Sequence, residues 1–99
     1  MNSVWVFNGD GSFPSAVFTS RDLAEAWISK HRLTGVLTNY PLDVGVYEWA
    51  IARGMFKPKR PEHSEPQFIG QFTSASQDHY HYAGGSDDES DSAPEQDNG

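Results

Sequence analysis

The N-terminal part of the chain alternates between short apolar runs and polar breaks that predict two strands and a helix. Residues 3–7 are mostly β-branched or aromatic, as strands favour, and residues 15–19 form a second short run. The glycine-rich stretch between these runs predicts a hairpin. Apolar positions three and four residues apart then predict an amphipathic helix with either Thr19 or Ser20 as its N-cap.

The following segments continue the pattern with shorter elements. Residues 36–40 predict a third strand, and Asp43 is placed to cap a second, shorter helix. The prolines within 55–66 predict a loop without regular structure, and 67–73 and 78–82 predict two further strands. The order β-β-α-β-α-β-β predicts an α+β fold, in which a mostly antiparallel sheet carries two helices on one face.

The charge is distributed unevenly and sets the predicted domain boundary. The 99 residues carry a net charge of -7, but residues 84–99 hold six acidic residues and no Lys or Arg. This leaves eight acidic and seven basic residues in 1–83, where all the aromatic side chains also lie. A segment with almost no apolar side chain cannot offset the entropy cost of folding. We therefore expect a compact domain over 1–83 and a disordered acidic tail over 84–99.

The composition excludes several classes of protein. The chain has no cysteine, which rules out disulfide scaffolds, cysteine-ligated zinc and thiol nucleophiles. No apolar run approaches the roughly 20 residues that span a bilayer, so no membrane segment is expected. The first residues lack the basic flank of a secretory signal, so the predicted location is the cytoplasm.

Six short motifs occur along the chain, once each and in a specific combination. They are VWVFNG at 4–9, YPLD at 40–43, YxWA at 47–50, FKPK at 56–59, FIGxF at 68–72 and HYHY at 79–82. Together they resemble a family of small, mostly bacterial proteins described as a domain of unknown function. The resemblance covers about residues 3–83 and implies no activity, substrate or catalytic residue.

Two histidines form the candidate metal site. His79 and His81 are two residues apart on a predicted strand, so their imidazoles lie on one face, as in strands that donate two nitrogen ligands to a metal ion. His31, His63 or a distant carboxylate would have to supply the third ligand, and the spacing selects none of them. The same histidines could also serve a hydrolase as acid or base. With no cysteine and no Gly-x-Ser-x-Gly motif, the sequence favours a protein that is neither an enzyme nor cofactor-dependent.

A basic loop is the second candidate site. Lys57, Lys59 and Arg60 lie close together beside Phe56, in a pattern that can bind nucleic-acid phosphates or an acidic protein. The predicted domain as a whole is not net positive, which does not favour nucleic acid. A solvated connecting loop is the simpler interpretation.

The first strand carries the leading functional prediction. If Trp5 and Phe7 face the helices, Val4 and Val6 face the other way, so both sides of the strand are apolar. The 3 Trp, 4 Tyr and 6 Phe also exceed what two short helices could cover. We therefore predict a protein-interaction module that presents an open sheet face or an edge strand to a copy of itself or to another protein.

Overall fold

A five-stranded antiparallel sheet organises the chain, with the strand order β2-β1-β3-β4-β5. The structure is a computed structural model that describes residues 2–87. Its elements are β1 (Ser3–Asn8), β2 (Ala16–Phe18), α1 (Arg21–His31), β3 (Gly35–Pro41), α2 (Val46–Ala52), a 3-10 turn (Pro61–Ser64), α3 (Pro66–Gly70), β4 (His79–Ala83) and β5 (Ser86–Asp87). The predicted α+β class is confirmed.

The main core lies between α1 and one face of the sheet. Its fully or nearly fully buried side chains are Phe7, Ala24, Ile28, Leu37 and Tyr82. Trp27 of α1 meets Phe7 edge to face, with ring centroids 5.7 Å apart. Burying a large apolar side chain stabilises a fold by about 1.5–3 kcal/mol, so these few residues dominate the stability of the domain.

Local hydrogen bonds set both ends of α1. The Ser20 hydroxyl accepts a hydrogen bond of 3.2 Å from the Leu23 N–H, so Ser20 is the N-cap of the two residues considered. At the other end Arg32 adopts the left-handed conformation (φ 55°), and the Leu33 N–H donates to the Ile28 carbonyl at 3.0 Å. These features end α1 at its C-cap, and the chain then enters β3.

The second helix begins later than predicted. Gly45, not Asp43, is the N-cap of α2, and it makes no side-chain capping bond. Asp43 has a positive φ of 65°, which places it in the turn that follows β3. Aspartate tolerates this conformation better than most residues, so its preference for turns outweighs its preference for helix caps here.

Residues 67–73 form no strand in the structure. Pro66 starts the short helix α3, and the spacing of Phe68 and Phe72 suits one helix face as well as it suits a strand. Likewise, Pro61 starts a 3-10 turn inside the loop that was expected to lack regular structure. Proline disrupts the interior of a helix, which is why a loop was expected, but it is favoured in the first turn of a helix.

An aromatic cluster forms a second, smaller core beside α2. Its members are Tyr47, Phe56, His63, Phe68 and Phe72, which we call the second aromatic cluster because it lies apart from the main core. Tyr47 is buried at the centre, meets Phe72 edge to face at 5.7 Å, and donates a 2.7 Å hydrogen bond to the His63 carbonyl. The His63 ring stacks on Phe68 at 4.8 Å. The cluster therefore joins α2, the 3-10 turn and α3 without a strand between them.

The chain remains in the sheet beyond the predicted boundary at residue 83. Gly84 and Gly85, both with positive φ, turn it into β5, and the Gly85 N–H donates to the Leu33 carbonyl at 2.9 Å. Of the predicted tail 84–99, residues 88–99 lie outside the described part of the chain. Within residues 2–87, no helix has the length and apolar character needed to cross a membrane.

Candidate interaction surface

Strand pairing assigns each residue of the sheet to one of two faces. Phe7, Leu37 and Tyr80 lie side by side across β1, β3 and β4, and they point toward α1. Alternation places their neighbours on the opposite side, which we call the second face. Its members on β1 to β4 are Val4, Val6, Asn8, Val17, Val36, Thr38, Tyr40, His79, His81 and Ala83.

The second face is apolar or neutral throughout. None of these ten members is Asp, Glu, Lys or Arg, and none belongs to the main core or to the side chains packed against it. Val17 is 61% exposed, and His81 and Ala83 are also exposed, while the others are half-buried. Thr73 and Ala75 border the face near Tyr40, where they line a shallow pocket. The largest contiguous apolar patch on a protein surface is often a functional one.

Most aromatic rings are packed, contrary to the expectation of a surplus available for docking. Four aromatic rings pack with His63 in the second aromatic cluster, which was not predicted from the sequence. Among the described residues, Phe13 is the one aromatic side chain in the exposed class, at 81%. Val4 and Val6 do lie on the face away from α1, so the β-branched residues give the second face its apolar character.

The predicted metal pair lies at the β4 side of the second face. The His79 and His81 rings are neighbours, with centroids 5.4 Å apart. The Nδ1 atom of His79 donates a 2.8 Å hydrogen bond to the Gln77 carbonyl. In this tautomer Nε2 carries the lone pair that a metal ion would need. Within residues 2–87, no group of three or more His, Asp or Glu side chains is placed to hold a metal ion. The structure therefore adds no third ligand to this pair.

Within the described part of the chain, the histidines bond backbone groups and not carboxylates. His63 uses Nδ1 to accept the N–H groups of Lys59 (3.0 Å) and Arg60 (3.4 Å), and His79 bonds a backbone carbonyl. Within residues 2–87 no hydrogen bond joins a histidine to Asp78 or to any other carboxylate. A carboxylate that orients a histidine is the usual partner in acid–base sites, and residues 2–87 do not form this arrangement.

The basic loop is held in place from both ends. Phe56 and His63 belong to the second aromatic cluster, and the bonds that His63 accepts fix the backbone at Lys59. Arg60 lies 3.8 Å from Glu62 in an exposed ion pair. Lys57 and Lys59 are exposed and have no ion pair among residues 2–87. Two of the three predicted basic residues are thus available to a partner.

A polar network at the edge of α1 was not predicted from the sequence. Tyr82 donates a 2.6 Å hydrogen bond to Glu25, which also accepts one from Arg21 at 3.1 Å. The Arg21 guanidinium stacks 3.4 Å above the Tyr80 ring centre and bonds Asp87 at 3.3 Å. These partners are up to 66 residues apart, and only the alternation of the two tyrosines gave any signal.

Replacing Tyr82 with Phe should lower the free energy of unfolding by about 1.5 kcal/mol at pH 7, because Glu25 loses a short hydrogen bond. Burial, followed by this hydrogen bond, raises the pKa of Tyr82 above its usual value. A raised pKa gives stability below about pH 10, which is lost as the pH increases further. The difference in the free energy of unfolding between the wild-type and variant proteins, measured by urea denaturation, should therefore decrease above pH 10. A difference that increases above pH 10 would contradict the hydrogen bond from Tyr82 to Glu25.

Comparison with known proteins identifies a family but no activity. A family model described as a domain of unknown function, DUF7710, matches residues 4–88. No curated protein and no solved structure matches the chain.

Proposed function

Since the chain belongs to this domain family of unknown function, we propose from its surface that it is a protein-interaction module that pairs with a second copy of itself. The second face of the sheet is the proposed interface. The observation that carries the proposal is the absence of formal charge from a contiguous face that lies outside the core. Depletion of charged residues is what distinguishes the centre of an interface from ordinary surface.

The choice of a second copy follows from charge. In a symmetric dimer each protomer presents the same side chains to the other, so charged groups near the axis face charges of their own sign. The wild-type chain carries a net charge of -7, and like charges brought together weaken association. The second face has no such charge to oppose. Two such faces can stack about 10 Å apart, as sheets do in sandwiches, with their valine side chains interdigitating.

The size of the face indicates a weak dimer. Four strands about 4.8 Å apart, each about five residues long, give a footprint of roughly 300–400 Å² per copy. Stable complexes bury about 800 Å² per partner, so the proposed interface belongs to the small, transient class. We expect dissociation in the micromolar range or weaker, with monomer and dimer in rapid exchange.

Replacing Val6 with Lys should raise the dimer dissociation constant at least about 30-fold, or about 2 kcal/mol. Val6 pairs with Val17 on one side and Thr38 on the other, near the middle of the second face. Each dimer would lose two buried valines and place two ammonium groups in an apolar contact. Sedimentation equilibrium over a range of protein concentrations measures the constant directly.

The matched control is Leu23→Lys on α1. Leu23 is an apolar side chain that is 57% exposed, but it lies on the helix that covers the opposite face. Its replacement makes the same change of charge and should leave the dissociation constant within about two-fold of wild type, because long-range charge effects are screened by salt. Equal effects of the two substitutions, or a wild-type chain that stays monomeric throughout, would refute the proposal.

A further inference from the structure

A pocket of 260 Å³ lies between the sheet and α2. The end of β3 contributes one wall, α2 and the residues that follow it contribute a second, and residues 76–78 before β4 contribute a third. Asn39 and Pro41 of β3 alternate with the second face and share the side of Leu37. The pocket therefore lies on the side of the sheet that faces away from the proposed dimer interface.

Hydrogen bonds hold the wall beside β4 in place. Gln77 is 3% exposed; its Oε1 accepts the Ser74 N–H at 3.1 Å, and its Nε2 donates to the Asn39 carbonyl at 3.1 Å. The Asn39 N–H in turn donates to the Asp78 carbonyl at 2.9 Å. Because these bonds fix residues 74–78 to β3, the wall does not need a ligand in order to form.

Two side-chain amides at this wall have unused hydrogen-bonding capacity. The Asn39 amide nitrogen donates to Ser3 Oγ at 3.1 Å and to the Val4 carbonyl at 3.2 Å, which uses both of its protons. Within residues 2–87, Asn39 Oδ1 accepts no hydrogen bond, and the second Nε2 proton of Gln77 has no acceptor. Buried polar groups are normally paired, so a ligand that brings one donor and one acceptor would complete both amides.

The pocket also carries one cation and one anion that do not neutralise each other. Arg53 comes four residues after Trp49, and its guanidinium lies over the Trp49 ring at 5.1 Å. Asp78 lines the same pocket, yet neither Arg53 nor Asp78 is in an ion pair within the described range 2–87. Two separate charges of opposite sign suit a ligand that itself carries both signs.

The rest of the lining is largely apolar, and the pocket is small. Trp49, Pro41 and Met55 supply this apolar lining, and the flexible thioether of methionine adapts to ligands of different shape. Pockets for drug-sized molecules have volumes of roughly 300–1,000 Å³, so a pocket of 260 Å³ takes a smaller molecule. A small molecule with a carboxylate, an ammonium group and an apolar part is a free amino acid.

We propose that this pocket binds a free α-amino acid with an apolar side chain. The ligand's carboxylate pairs with Arg53 and accepts the remaining Gln77 proton, as carboxylates do from guanidinium and amide donors. The ligand's ammonium group pairs with Asp78 and donates to Asn39 Oδ1. The ligand's side chain packs against Trp49. The site is separate from the second face and does not depend on the proposed dimer.

Titration of the ¹⁵N-labelled full-length protein with L-leucine tests this site. We expect saturable shifts of the Trp49 indole N–H, the Gln77 side-chain amide and the Asp78 backbone amide, with a dissociation constant in the millimolar range or tighter. The amide of Gly11, in the hairpin loop, should not shift. The absence of saturable shifts, or saturable shifts centred on the second face, would overturn the proposal.

Two analogues of leucine test the two charges separately. 4-Methylpentanoate lacks the ammonium group and 3-methylbutylamine lacks the carboxylate, so each should bind the wild-type protein at least about ten-fold more weakly than leucine. Arg53→Gln should weaken leucine binding about ten-fold and leave 3-methylbutylamine unchanged. Asp78→Asn should weaken leucine binding to a similar extent and leave 4-methylpentanoate unchanged or bound more tightly. Analogues that bind as well as leucine would contradict the proposed pairing.

The matched controls are Lys30→Gln on α1 and Asp10→Asn in the hairpin loop, which make the same changes of charge outside the pocket. Both should leave leucine binding within about two-fold of wild type, because salt screens distant charges. Arg53 and Asp78 are exposed, so their variants should keep wild-type amide spectra outside the pocket. Equal effects of the control and pocket variants, or leucine binding that survives both pocket substitutions, would overturn the proposal.

Discussion

Replacing Gly35 with Ala should lower the free energy of unfolding by about 3 kcal/mol, the upper end of what one added methyl group costs in a packed site. A Cβ built on Gly35 would lie 2.2 Å from the Asn8 carbonyl oxygen and 2.7 Å from Cζ of Phe7. The first neighbour is backbone in the adjacent strand β1, and the second is a fully buried ring. Neither can move without opening the pairing of β1 with β3, so the strain cannot be relieved cheaply.

Thermal denaturation checks this prediction, since 1 kcal/mol shifts the midpoint of a domain this small by about 4–8 °C. We therefore expect a fall of roughly 12–24 °C for Gly35→Ala. Gly11→Ala is the matched control, because nothing lies within 4 Å of a Cβ at Gly11. The control should keep the wild-type midpoint or exceed it slightly, as the unfolded chain loses entropy. Similar midpoints for the two variants would show that β1 and β3 do not approach as closely as described.

Replacing Tyr47 with Ala should cost about 3–4 kcal/mol, as truncation of a buried aromatic side chain does. Tyr47 contacts the rings of Phe56, Phe68 and Phe72, and its hydroxyl bonds the His63 carbonyl. The second aromatic cluster has no other buried member, so it should lose its packing entirely. Because Phe56 and His63 anchor the basic loop, this loop should lose its fixed conformation in the same variant.

Urea denaturation of Tyr47→Ala, followed by circular dichroism, measures this cost. Tyr47→Phe is the control, since it keeps the ring contacts and removes only the hydrogen bond to His63, for about 1 kcal/mol. Hydrogen exchange should show that amides near Phe68 lose protection before those near Ile28 in the Tyr47→Ala protein. A cost for Tyr47→Ala no larger than that for Tyr47→Phe would contradict the central position of this ring.

Local signals predicted the N-terminal half of the fold well. The apolar spacing of α1 and the alternation in β1 are properties of neighbouring residues, and both were predicted, whereas the N-cap of α1 was narrowed only to Thr19 or Ser20. Asp43 and residues 67–73 were wrong because two local preferences competed there. Aspartate suits both a cap and a left-handed turn, and aromatic residues four apart suit both a strand and a helix. Packing against Tyr47 favours the helix, and this contact is not visible in the sequence.

The candidate surface was predictable only in part. Alternation in β1 was enough to place Val4 and Val6 together, because register within one strand follows from a period of two. The full second face required the pairing of β1 with β2 and β3, and of β3 with β4. Contacts of this kind depend on the tertiary structure, and no local pattern encodes them.

Intermolecular nuclear Overhauser effects in a sample that mixes isotope-labelled and unlabelled wild-type chains test the proposed interface most directly. We expect the methyl groups of Val4, Val6 and Val36 to show contacts to protons of the second face of another copy. Intermolecular contacts confined to Leu23 or Phe13, or no intermolecular contact at millimolar concentration, would contradict it.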